Sequence, residues 1–221
     1  MTQIPVMRRV LASNDALAAE QLARIDQASV FSINLMSAPG SGKTSLVERT
    51  VERLGAKYHI HVIEGDIKGD LDAQRVAAKG GACTQINTDG ACHLDALMLQ
   101  AALSGLDLTG LDLLIIENVG NLVCPAEFAL PAHRSVTLIS TPEGSDKPAK
   151  YPLMFSKSDA VLITKMDLLP HVDFDVPAVK AAIRKLKPDM TIIELSARTG
   201  AGLDAWFEWL EAGLVHKKRQ K

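Results

Sequence analysis

The chain has 221 residues, of which 47% are apolar and only 4% aromatic, and its formal charge is −2. That length suits one α/β domain with an aliphatic core, and the balanced charge removes any global electrostatic case for a nucleic-acid partner. No apolar run reaches the ~18 residues that span a bilayer, the start of the chain lacks a signal-like apolar segment, and three cysteines are too odd a set for a disulfide framework. The expectation is a cytoplasmic protein with reduced thiols, no membrane partner and no nucleic acid.

In chain order, residues 12–29 read as a helix capped by Ser13 or Asn14, with Leu17, Leu22 and Ile25 as its apolar stripe. An apolar strand over 30–36 then runs into Ser37-Ala38-Pro39-Gly40-Ser41-Gly42-Lys43-Thr44, and helical spacing follows from Ser45 to Leu54. Strand, Gly-rich loop and helix start in that order make a phosphate cradle, because a loop without side-chain bulk turns its backbone N–H groups inward. Gly40, Ser41, Gly42, Lys43, Thr44 and Ser45 are the nucleotide-binding candidates. Lys43 reaches the terminal phosphates, and the Thr44 hydroxyl suits Mg²⁺. Ser37 stands where the general pattern has its first Gly, a minor departure.

A second strand over 58–64 ends at Gly65-Asp66. Two readings of Asp66 are open: a Mg²⁺-shell acid at the carboxyl edge of a sheet, or an N-cap for the helical segment 71–79. His59 and His61 share a strand face and are left out of the site. A short strand over 83–87 leads to Ala91-Cys92-His93-Leu94-Asp95, read as opening a helix through Leu103. The apolar strand 111–117 ends in Glu117, an acid placed to sense Mg²⁺, and Gly120 just beyond it suits a γ-phosphate contact. Cys124-Pro125 comes next. Cys92, His93 and Cys124 all lie on segments leaving the carboxyl edge, so they are either a soft metal site or inert small residues.

The strand 135–140 precedes a stiff basic loop, 141–152, carrying Lys147 and Lys150. Each lysine either contacts nucleotide, across a dimer interface, or is solvated. The strand 159–164 ends in Thr164-Lys165-Met166-Asp167. A carboxylate at Asp167 accepts from guanine N1–H and N2–H₂, donors that adenine lacks, and the Lys165 stem covers base and loop. The last strand, 191–195, ends in Ser196-Ala197, where the Ala197 N–H suits guanine O6. A closing helix spans 203–214. The fold class is α/β: a three-layer, mostly parallel sheet flanked by helices, of P-loop NTPase type. The organisation is an N-terminal helical extension over 1–28, a G domain over 29–215 and a solvated basic tail over 216–221, forming one domain overall.

These motifs together resemble the hydrogenase nickel-incorporation GTPases, HypB, of the SIMIBI class. The resemblance is carried by the phosphate loop, by Cys92-His93-Leu94-Asp95-Ala96, and by the family-specific run Glu117-Asn118-Val119-Gly120-Asn121-Leu122-Val123-Cys124-Pro125. It extends through Lys147-Pro148, Lys150-Tyr151-Pro152 and Thr164 to Pro170, and covers residues 15–212. It implies a nucleotide-dependent homodimer that uses GTP and Mg²⁺, binds Ni²⁺ or Zn²⁺ through Cys92, His93 and Cys124, and works with a HypA-like nickel chaperone on a hydrogenase large-subunit precursor. Ser37 is ordinary for the family. Two departures stand out. Residues 1–36 hold no Cys or His, so nickel handling is expected at the G-domain site, and Thr164 replaces the usual Asn, a change that bears on guanine selection. With no clear catalytic Gln or arginine finger, turnover alone should be slow. A UreG-like urease GTPase is the competing resemblance, but that family uses a contiguous Cys-Pro-His that this chain lacks. A non-catalytic GTP-binding module is the other alternative.

Overall fold

The computed structural model describes residues 6–219. Seven strands form one sheet in the order β3-β2-β4-β1-β5-β6-β7: β1 (Phe31–Ser37), β2 (Ile60–Asp66), β3 (Ala82–Asn87), β4 (Leu113–Glu117), β5 (Arg134–Ser140), β6 (Ala160–Thr164) and β7 (Thr191–Glu194). Every pairing is parallel, so the expected mostly parallel sheet is wholly so. Parallel strands need long crossovers, and helices supply them on both faces.

Strand alternation divides the core between the two faces. From β1 and β4, Phe31, Ile33, Leu35, Leu113 and Ile115 face α2 (Lys43–Leu54) and α8 (Leu203–Lys218), with Trp206 fully buried. On the opposite face, Leu114 and Ile116 meet α1 (Val6–Gln27) and α4 (Ala96–Ser104). Further along that face, Val161 and Ile163 pack with α6 (Pro152–Lys157) and α7 (Val176–Leu186). The helix α3 (Leu71–Ala78) adds Val76 to the first face.

Several expectations are corrected. Asn14 is no helix cap: α1 begins well before it, and its buried amide joins the Ala129 carbonyl (2.8 Å) and the Ala96 N–H (2.9 Å). The basic loop contains the short helix α5 (Lys147–Lys150) and runs into α6, each with Pro in its first turn. The crossover helix α7 lay outside the predicted elements. Its N-cap Asp175 accepts from Ala178 N–H at 2.9 Å. The supposed tail is the last turn of α8 as far as Lys218, where Lys217 pairs with Asp26 and Lys218 with Asp112 (2.8 Å). Residues 220 and 221 of that tail, and 1–5 of the N-terminal extension, lie outside the described residues. Among the described residues, no helix is long and apolar enough to cross a membrane.

Candidate nucleotide cleft and metal cluster

Sheet order builds the cleft. The loop after β1 is flanked by the loops after β4 and β5, because those strands are its neighbours. Gly40 (φ +73°) and Gly42 (φ +96°) take left-handed conformations that let the loop curl and start α2 at Lys43. Gly120 allows the β4 loop to close down: a Cβ there would lie 2.8 Å from Pro39 Cα and 2.9 Å from Pro39 N. A cleft of about 400 Å³ results, lined by Gly40, Gly42, Lys43, Thr44, Ser45 and, opposite, Asp66, Glu117 and Gly120. Lys165, left-handed at φ +56°, also lines it.

The candidate residues are already interlinked. Thr44 Oγ1 donates to Glu117 Oε1 at 2.8 Å, and Lys43 Nζ to Ser37 Oγ at 3.1 Å. Thr164 Oγ1 donates to the Ser41 carbonyl at 2.7 Å, while Ser196 Oγ donates to Asp167 Oδ1 at 2.6 Å. Asp167, Ser196 and Ala197 do not line the phosphate cleft. Asp66 ends β2, and its Oδ1 accepts from the Ile67 N–H at 2.6 Å. The N-cap position of α3 belongs to Asp70, so the capping reading of Asp66 does not hold.

The acids are unevenly satisfied. Glu117 is 3% exposed, and its Oε2 has no partner. Burial pushes its carboxyl up, while a hydrogen bond with Glu64, the Lys43 ammonium and the Thr44 hydroxyl pull it back. Buried carboxylate oxygens without a donor suit a hard cation, so the residues present fit Mg²⁺ as well as a nucleotide.

Two cleft residues escaped sequence reasoning. Glu64 is the last residue of the strand read over 58–64, and nothing local marks it as buried. Arg75 falls in the helical segment 71–79, where it carries no local signal. Its guanidinium contacts Glu48 (2.9 Å and 3.1 Å), Asp72 (2.8 Å) and Ser45 Oγ (3.3 Å). Spacing from the phosphate loop carries no signal for either residue, since strand register and helix docking bring them in.

Cys92, His93 and Cys124 do converge: one ligand atom from each lies within 4.8 Å of the others. Cys92 Sγ lies 3.1 Å from Cys124 Sγ and 3.8 Å from His93 Nδ1. Cys92 and His93 sit in the loop before α4, not in the helix, which starts after its N-cap Asp95. The His93 ring packs on Phe128 with centroids 4.0 Å apart. Burial holds His93 below the usual imidazole range, favouring the neutral ligand form. The Cys124 thiol is pushed up, first by its hydrogen bond with Cys92 and then by burial. A tetrahedral ion with Zn–S bonds of about 2.3 Å holds two sulfurs roughly 3.8 Å apart. The two thiols therefore need to part by only a fraction of an ångström, and three donors leave a coordination position open.

The two sites touch through Asn118, which lines the nucleotide cleft. Its Oδ1 accepts from the Leu94 N–H at 3.0 Å, next to His93, and from its own neighbour Val119 N–H at 3.0 Å. Its amide reaches Asn34 Oδ1 at 3.3 Å.

Sheet, loop and cleft together define a P-loop NTPase. The family model described as CobW/HypB/UreG, nucleotide-binding domain, matches residues 31–194. The hydrogenase maturation factor HypB of Azotobacter vinelandii is 52% identical over 202 residues, covering 91% of this chain and 67% of that protein. Its counterpart in Escherichia coli (strain K12) is 45% identical over 202 residues, covering 91% and 70%. The crystal structure of HypB from Helicobacter pylori in complex with nickel superposes with a TM-score of 0.88 at 39% identity, covering 92% of this chain and 96% of that one. The chain belongs to the HypB family.

Proposed function

We propose that the protein is a GTP-hydrolysing nickel metallochaperone for [NiFe]-hydrogenase maturation, in which nucleotide state sets the geometry of a metal site. The observation that carries this reading is the hydrogen bond from Leu94 N–H to Asn118 Oδ1. It joins the Cys92-His93 segment to the residue after Glu117, and the same peptide continues from Glu117 to Cys124. Displacement of either segment moves donors at both sites. By linkage, metal must then change nucleotide affinity by the factor with which nucleotide changes metal affinity.

In this reading Gly40, Ser41, Gly42, Lys43, Thr44, Ser45 and Gly120 hold the phosphates. Thr164, Lys165, Asp167, Ser196 and Ala197 form the guanine side. Thr44, Asp66 and Glu117 would hold Mg²⁺, which would supply charge neutralisation on the phosphates. Lys43 stabilises charge on the terminal phosphate oxygens, and the cleft walls exclude water around it. Cys92, His93 and Cys124 take Ni²⁺ or Zn²⁺ as cargo, and their three-donor set leaves an open position for exchange. The protein works in the cytoplasm as a nucleotide-dependent homodimer, receives metal with a HypA-like chaperone and serves a hydrogenase large-subunit precursor.

The test is titration of Ni²⁺ and Zn²⁺ into wild type, Cys92→Ser and Cys124→Ser, each with GDP and with a GTP analogue, with oligomeric mass followed alongside. The expected result is nucleotide-dependent metal affinity in wild type and weakened metal binding in both variants, with GTP binding retained. Equal metal affinity and stoichiometry in all three proteins would sink the metal assignment. Absence of GTP turnover would leave a binding module rather than an enzyme.

A further inference from the structure

One fully buried acid of the nucleotide cleft is left idle by the reading above. Glu64 lies on β2 directly opposite Glu117 on β4 in the strand register. It lines the same cleft as Lys43, Thr44 and Asp66, and stands two residues before Asp66 on the same strand. Strand alternation therefore puts Glu64 and Asp66 on one face.

Glu64 is 2% exposed, and its Oε1 has no hydrogen-bond partner. Glu117, directly across from it, also buries an oxygen without a partner. Two facing buried acids are held together either by a shared proton, as in the Glu64–Glu117 hydrogen bond of the metal-free protein, or by a shared cation, and each here still has one oxygen without a partner. A structural acid would be expected to find an arginine, a lysine or a set of N–H donors. Lys43 donates instead to Ser37, and Thr44 spends its hydroxyl on Glu117 Oε1. Arg75, at the rim of the cleft, is taken by Glu48 and Asp72. Burial pushes both carboxyls up and the Lys43 ammonium lowers them through space, but no lysine or arginine hydrogen bond reaches Glu64 Oε1 or Glu117 Oε2. Mg²⁺ is commonly held by one or two carboxylates together with substrate phosphates.

We propose that Glu64 is a carboxylate of the divalent-cation site, acting with Glu117 from the neighbouring strand. The assignment rests on the nucleotide and Mg²⁺ reading above and adds a residue to it. Asp66, on the same face of β2 but nearer the opening, belongs to the outer part of the same acidic wall. In the metal-free protein the Glu64–Glu117 pair is a local liability; on loading it becomes a ligand set.

The experiment is Mn²⁺ titration of the full chain bound to GDP, reading free Mn²⁺ by electron paramagnetic resonance, with wild type, Glu64→Gln and Glu64→Asp. GDP affinity is measured in parallel in EDTA. Glu64→Gln keeps the shape and removes the anion, so Mn²⁺ affinity should fall about tenfold or more, in the range typical for residues that hold or orient a metal. Glu64→Asp keeps the anion on a shorter stem and should fall between the two. GDP affinity in EDTA should stay unchanged or tighten, because no cation is present for Glu64 to hold. The metal-free Glu64→Gln protein should stay folded, since the amide keeps a hydrogen-bond donor opposite Glu117. Wild-type Mn²⁺ affinity in Glu64→Gln would overturn the assignment, as would a parallel loss of GDP affinity in EDTA. Failure of wild type itself to bind GDP with Mn²⁺ would sink the nucleotide reading, and this assignment with it.

Discussion

Thr164 holds the phosphate loop. Its hydroxyl donates to the Ser41 carbonyl at 2.7 Å, so the segment proposed to read the base is tied directly to the phosphate loop. Asn, commoner at this place in GTPases, would offer an amide; the hydroxyl supplies a donor to the loop on a shorter stem. Thr164→Val removes the donor and nearly preserves the volume. GDP affinity should fall by a factor of about three to ten, the worth of one hydrogen bond near 1 kcal/mol, measured as a faster off-rate of a fluorescent GDP. An unchanged off-rate would remove Thr164 from loop positioning.

Selectivity should rest on Asp167, whose Oδ1 already accepts from Ser196 Oγ. Asp167→Asn should lower GDP affinity at least about a hundredfold, because a site built to pair substrate donors rejects ligands that leave its groups unpaired. Xanthosine diphosphate, which carries a carbonyl in place of the 2-amino group, should then bind better than GDP. Retained preference for GDP would place guanine recognition elsewhere.

Glu143 supports the phosphate loop from the β5 side. Its Oε1 accepts from Ser41 Oγ (2.6 Å), Ser140 Oγ (2.6 Å) and Ser140 N–H (2.9 Å). Glu143→Ala should destabilise the fold by roughly 1–3 kcal/mol in chemical denaturation, since three donors lose a charged acceptor. It should also weaken GDP binding. Glu143→Gln, which keeps one acceptor oxygen, should recover part of both losses.

Gly120 is constrained by space rather than by φ. Any side chain there meets the backbone of Pro39 at under 3 Å. Gly120→Ala should push the β4 loop off the phosphate loop, at a cost of about 1–3 kcal/mol for an overpacked contact. Calorimetric GDP titration should show weakened binding, and the Leu94–Asn118 link should carry the displacement to the metal cluster.

His133 makes stability depend on pH. Its Nδ1 accepts from the Ser32 N–H at 3.0 Å, so the neutral ring puts its proton on Nε2, which faces Asp26 Oδ1 at 2.8 Å. Burial is the largest influence and holds the imidazole below its usual range, outweighing the Asp26 contact. The unfolded chain therefore takes up this proton first. The stability due to a neutral His133 is complete above the unfolded value near 6.5 and is lost as pH falls from there towards the lower folded value. Denaturation midpoints taken from pH 8 to pH 5 should drop for wild type. Gln at 133 should flatten that slope, and an equally steep slope in His133→Gln would assign it to other groups.

Local pattern was enough for the chemistry carried by short runs. The phosphate loop and Glu117, which share one cleft, and Cys92-His93 and Cys124, which converge, were legible because each is a few adjacent residues whose types match one task; Thr164 to Asp167 was legible in the same way as a run of candidates. What pattern could not show was anything set by strand order. Glu64 becomes a buried acid only because β4 inserts beside β2 and brings Glu117 opposite. Glu143 reaches Ser41 only because β5 is the other neighbour of β1. Asn14 looks like a cap and is a cross-link, and Lys217 looks solvated and is paired with Asp26, because helix docking rather than local propensity places them. The sequence by itself determined which candidate groups for phosphate, base and metal the chain carries. Tertiary structure alone decided which acids face one another in the interior with an oxygen each left unpaired, since desolvation depends on what the rest of the chain packs against them.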